Sequence, residues 1–175
     1  MYRQGLICVF TGNGAGKSSA AFGLALRASG QGLKVLILQF MKLNKNIGEL
    51  KALEESTLPI RLEQHGQRAF FKTRTCETKD IFLASRGMEA FKMALESDRY
   101  DMIILDEINL AVYFGLVDWG ELRWLIEEKP PRLHLVLTGR NAQPELVEMA
   151  DLVTEMQELK HPYQKGVPAQ AGIEF

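Results

Sequence analysis

The chain has 175 residues, 46% hydrophobic and 25% charged, which suits one soluble domain spanning 1–175 with a substantial core. Its 21 basic and 22 acidic residues leave a formal charge of -1, so no global field exists to hold a polyanion and nucleic-acid binding is not expected. No apolar run approaches the roughly 20 residues of a membrane span. Cys8 and Cys76 show neither C-x-x-C spacing nor a disulfide pattern, and a cytoplasmic protein is expected.

Residues 6–10 are apolar and β-rich and run into Thr11-Gly12-Asn13-Gly14-Ala15-Gly16-Lys17-Ser18-Ser19. The following stretch, 18–29, is alanine-rich and stops at Gly30 and Gly32, as a helix would. Strand, glycine loop and helix in this order can cradle phosphate. Backbone amides converge without Cβ atoms in the way, the helix N-terminus adds positive potential, Lys17 adds a full charge, and the Ser18 hydroxyl can ligate Mg²⁺. The match to G-x-x-x-x-G-K-[ST] is incomplete because Thr11 takes the first glycine position, so the context carries the reading. Ala20, Leu24 and Ala28 share one helix face with Ala21 and Ala25 beside it, letting the helix lie close to a sheet.

Further short apolar runs at 35–40, 60–63, 102–105, 133–137 and 152–156 alternate with helical patterns. Continuous apolar character in the runs 6–10, 35–40, 102–105 and 133–137 implies strands buried on both faces, hence a doubly wound α/β fold with a mostly parallel sheet. Across 80–97, the residues Ile81, Ala84, Met88, Phe91 and Leu95 form a helical stripe that reads as core. Segments 41–47 and 65–79 are polar, basic and lead away from strand ends, where α/β sheets bind their ligands. The tail 160–175 is irregular in pattern.

Several side chains then stand out. The strand 102–105 ends in Asp106 and Glu107; beside a phosphate loop, Asp106 is expected to hold Mg²⁺ opposite Ser18. Glu107 either joins the metal or orients water, whereas the pair taken alone would read as a solvated helix cap. Arg140 follows another strand end and is either a phosphate clamp or a surface residue, an ambiguity shared by Arg27. His65, His134 and His161 lack metal-ligand spacing; His134 reads as structural and His161 as the one ligand contact. Lys42, Lys45, Arg68, Lys72, Arg74 and Lys79 read as a solvated face. Phe70-Phe71, outside any regular pattern, must cover the core edge or a planar ligand.

Together these stretches resemble the P-loop type of corrinoid adenosyltransferase. The resemblance rests on the loop 11–23, Gln39-Phe40-Met41-Lys42, Gly48-Glu49, Leu105-Asp106-Glu107 and Thr138-Gly139-Arg140. Its most specific part is the ending: Ala150-Asp151-Leu152-Val153-Thr154-Glu155-Met156, Lys160-His161-Pro162-Tyr163, and Ala169-Gln170-Ala171-Gly172-Ile173-Glu174-Phe175. It implies a RecA-like sheet, a homodimer, Mg-ATP as adenosyl donor, a corrinoid (cobalamin or cobyrinic acid a,c-diamide) as acceptor, and a flavoprotein reductase as partner. In that family a Co(I) corrinoid attacks the 5′ carbon of ATP and triphosphate departs. The implied roles are catalysis by Lys17, Glu107 and Arg140; ATP binding by Gly12, Asn13, Gly14, Ala15, Gly16, Lys17, Ser18 and Ser19; corrinoid contact by Phe70 and Phe71; and metal binding by Ser18, Asp106 and Glu107, with Arg27 and His161 as further ligand-binding candidates read from the residues alone. Lys72 stands where the family pattern has tryptophan. The alternative is a P-loop ATPase or ATP-dependent switch in which Glu107 activates water.

Overall fold

A computed structural model describes residues 4–67 and 77–174. Six strands form one sheet: β1 (Ile7–Thr11), β2 (Val35–Phe40), β3 (Ile60–His65), β4 (Met102–Asp106), β5 (His134–Thr138) and β6 (Leu152–Glu155). Their order across the sheet is β3-β2-β4-β5-β1-β6, and every pairing is parallel. Six helices connect them: α1 (Lys17–Gly30), α2 (Gly48–Glu54), α3 (Thr78–Ser97), α4 (Ile108–Tyr113), α5 (Trp119–Glu127) and α6 (Pro144–Met149). No described helix is long and apolar enough to cross a membrane.

Alternate residues of the central strands feed two separate cores. Ile37, Ile104 and Val136 face α1, where Ala21, Ala25 and Ala28 are buried and bring the helix close to the sheet. Leu38, Phe40, Leu105 and Leu137 face the other side, with Ala84, Met88 and Phe91 of α3 and Leu122 and Ile126 of α5. Burial on both faces explains why these strands are uninterrupted apolar runs.

The ends of the elements are set by local chemistry. A reciprocal capping box between Glu77 and Asp80 starts α3, Asp118 accepts from the Glu121 N–H at 2.8 Å to start α5, and Pro144 opens α6.

The expected strands are all present, with shifted ends: β3 runs on to His65, and β4 takes in Asp106. Two packing details differ from the sequence reading. Ile81 is 49% exposed, because the stripe meets the sheet only from Ala84 onward. Ala20 and Leu24 are half-buried, so the close-packed face of α1 is Ala21-Ala25-Ala28. The tail is irregular apart from a 3₁₀ turn at Pro162–Lys165. Because β1 lies between β5 and β6 while the chain continues to β2 on the far side of β4, the carboxyl tips of β1, β2, β4 and β5 surround one crevice.

Candidate nucleotide and metal site

The loop between β1 and α1 closes around its own lysine. Lys17 is 8% exposed, and its Nζ donates to the carbonyls of Gly12 (2.8 Å) and Gly14 (2.6 Å). Burial pushes its pKa below the ordinary lysine range, partly offset by the Glu107 charge. The first amides of α1 have no acceptors within the helix and open toward the loop mouth. Outside the loop runs the chain leaving β6. Gly14 N–H donates to the Met156 carbonyl at 2.7 Å, so this amide faces the tail and not the cradle. Gly12 takes φ 93, and a Cβ there would collide with the Met156 carbonyl oxygen.

Beside the loop, Asp106 is completely buried at the tip of β4. Its Oδ1 accepts from Ser18 Oγ (2.8 Å) and Thr138 Oγ1 (2.7 Å); its Oδ2 accepts from Gln39 Nε2 (2.9 Å) and Lys42 Nζ (2.9 Å). Burial alone would raise its pKa. The Lys42 charge and these hydrogen bonds outweigh that and hold it below the usual carboxylate range. Lys42 is shifted in the matching sense: burial works against its charge, but Asp106 and Glu107 raise its pKa overall. Glu107 follows at φ 62, its N–H donating to Thr138 Oγ1 at 3.0 Å. Its carboxylate lies 3.5 Å from Lys42 Nζ. A left-handed non-glycine residue at a strand tip is the kind of backbone strain found at functional sites.

One expectation changes here: Lys42 is no part of a solvated face. Met41 leaves β2 at φ 57 and turns the chain so that Lys42 reaches the tip of the neighbouring strand. Sequence reading also missed Gln39 and Thr138. Both lay in stretches that carry the family resemblance, and each is a polar side chain at or next to the end of an apolar strand; both are buried.

The other candidates are dispersed. Arg140 is exposed, with Nη2 3.3 Å from the Asn13 carbonyl, and together with Glu155, Met156, Gln157 and Glu158 they line a cavity of about 450 Å³ at the loop. Ala15 and Ser19 are exposed at the loop and the first turn of α1. Arg27 is not brought to the cradle. It sits ten residues beyond Lys17, about 15 Å along the helix, in a separate cavity with Leu24, Ala28, Gln31, Leu33 and Met102. His161 Nδ1 accepts from Tyr163 N–H at 3.2 Å and caps the 3₁₀ turn. His134 Nδ1 accepts from Leu6 N–H at 3.1 Å, as a structural histidine would. Phe70, Phe71, Lys72, Arg68 and Arg74 lie outside the described residues. The flanks of that segment share one anchor: Asp80 Oδ1 accepts from Gln67 Nε2 (2.8 Å) and Oδ2 from Glu77 N–H (3.0 Å).

A glycine loop closing on Lys17-Ser18, opposite the buried acid at the tip of β4, which β5 separates from β1 in the parallel sheet, defines a P-loop nucleotide-binding protein. Among solved structures, the RadB recombinase shares the fold with a TM-score of 0.52 at 12% identity, over 91% of this chain and 78% of that one. The family model described as ATP:corrinoid adenosyltransferase BtuR/CobO/CobP matches residues 3–175, and the chain belongs to that family. It is 40% identical to the corrinoid adenosyltransferase of Sinorhizobium sp., over 98% of this chain and 81% of that protein. It is 35% identical to the corrinoid adenosyltransferase of Escherichia coli (strain K12), over 98% and 86%. The activity is corrinoid adenosyl transfer, with ATP and a corrinoid as substrates.

Proposed function

We propose that this site performs Mg²⁺-assisted transfer of the 5′-deoxyadenosyl group of ATP to Co(I) of cobalamin or of cobyrinic acid a,c-diamide. The cobalt lone pair forms the Co–C5′ bond, the C5′–O bond breaks, and its electron pair leaves with triphosphate. No proton moves, so no general base is required. The observation favouring this over ATP hydrolysis is the pairing of Glu107 with the Lys42 ammonium at 3.5 Å, which suits a carboxylate serving a cation and not one activating water.

Charge growing on the departing triphosphate is opposed by the α1 amides, Lys17 and Arg140. Ser18, Asp106 and Glu107 fit a hard cation: they are oxygen donors gathered at one point, and a positive group already stands among them. Mg²⁺ held there would neutralise leaving-group charge. Asp106, fixed by Thr138 and Gln39, cannot turn away from that point. Phe70 and Phe71 are assigned to the corrinoid by family resemblance, and His161 stays a ligand contact read from its place in the tail. By the same resemblance the working enzyme is a homodimer supplied with Co(I) by a flavoprotein reductase, and its cysteine usage suits a reducing cytoplasm.

With Mg-ATP and chemically reduced cobalamin, a light-sensitive alkylcobalt spectrum should appear together with inorganic triphosphate. ADP and phosphate formed without dependence on corrinoid would overturn the reading. Lys17→Ala should lower kcat about 100-fold or more.

A further inference from the structure

Lys42 touches all three of the side chains assigned above to the metal. Its Nζ lies 2.9 Å from Asp106 Oδ2, 3.0 Å from Ser18 Oγ and 3.5 Å from Glu107 Oε1. An ammonium and a divalent cation cannot share these oxygens, since the two charges would repel at contact distance. The backbone that delivers Lys42 is fixed. Met41 N–H donates to the His65 carbonyl at 3.1 Å, and Gly66 lies so close that a Cβ on it would collide with the Lys42 backbone nitrogen. The side chain is not enclosed: it is 33% exposed, on a stem long enough to swing toward the loop mouth.

We propose that Lys42 is a tethered place-holder for the divalent cation, occupying the Ser18–Asp106–Glu107 point until a metal–nucleotide complex displaces it, whereupon its ammonium turns to the triphosphate. The proposal rests on the metal assignment made above. A tethered cation competes at an effective concentration of millimolar order or higher, so bare divalent cation is held off. Metal arriving with nucleotide brings phosphate oxygens that accept the displaced ammonium. Metal and nucleotide therefore enter together, and the buried charge of Asp106 is never without a counter-charge. Lys42 is thus a positioning residue that couples the β2 tip to occupancy of the cradle.

Mn²⁺, followed by the EPR signal of the free ion, tests this with and without ATP. Lys42→Met should bind bare Mn²⁺ about tenfold more tightly than the wild type and Mn-ATP about tenfold more weakly, one charge-assisted hydrogen bond being lost or released in each case. A merely structural ion pair would not shift the two affinities in opposite directions. Lys42→Gln keeps a donor for Asp106 without the charge and gives the same reading if Lys42→Met does not fold. Asp106→Asn separates the two ideas. If it leaves Mn²⁺ retention with ATP unchanged, the metal assignment fails. If it abolishes that retention while both Lys42 variants bind bare Mn²⁺ no better than the wild type, the place-holder alone is overturned.

Discussion

Asp106 has none of its side chain exposed and is held by four hydrogen bonds, from Ser18, Thr138, Gln39 and Lys42. A carboxylate in that setting is stable only while its partners are present, because the desolvated charge has no water to fall back on. Its lowered pKa fixes the sign of the pH dependence. Above the unfolded carboxylate value of about 4 the stabilisation is fully present, and it is lost as pH falls through the lower folded value. Urea unfolding from neutral pH downward should show this loss, and Asp106→Asn should flatten it while costing about 1–3 kcal/mol at neutral pH. An unaltered acid profile in the variant would place the titrating group elsewhere. The acid itself was legible as the charged end of an apolar strand. Its partners Gln39 and Thr138 were not, since they lie 67 and 32 residues away.

The phosphate loop and the chain leaving β6 act as one element. Met156 N–H donates to the Thr11 carbonyl at 2.9 Å, and the Met156 carbonyl accepts from Gly14, so the tail strand braces the outer side of the cradle. Gly12→Ala meets two obstacles: a left-handed φ of 93 and a collision with the Met156 carbonyl oxygen. The expected loss is about 1–3 kcal/mol of stability, with ATP affinity falling at least tenfold. Thermal unfolding and nucleotide titration measure the two; a variant normal in both would show that β6 does not brace the loop. The glycine spacing announced a phosphate loop, but not that Gly14 spends its amide on the tail. That bond depends on β6 pairing with β1, and no local pattern records which strand will lie at a neighbour's side.

Across the whole molecule, family resemblance implies a second copy, and sedimentation equilibrium should give twice the mass of one chain; a monomer at every concentration would contradict it. The sequence by itself determined the order of strand, glycine loop and helix, the six strands, the burial of the central ones on both faces and the acid opposite Ser18. Those properties follow from the length and polarity of contiguous segments, which local periodicity records. Only the tertiary structure decided that β2 and β5 flank β4, bringing Gln39, Lys42 and Thr138 onto Asp106. It also placed Arg27 in a cavity apart from the cradle and left Ile81 half exposed beyond the reach of the sheet. Strand order is a property of the packed sheet, so the partners of a buried charge emerge only when distant segments are laid side by side.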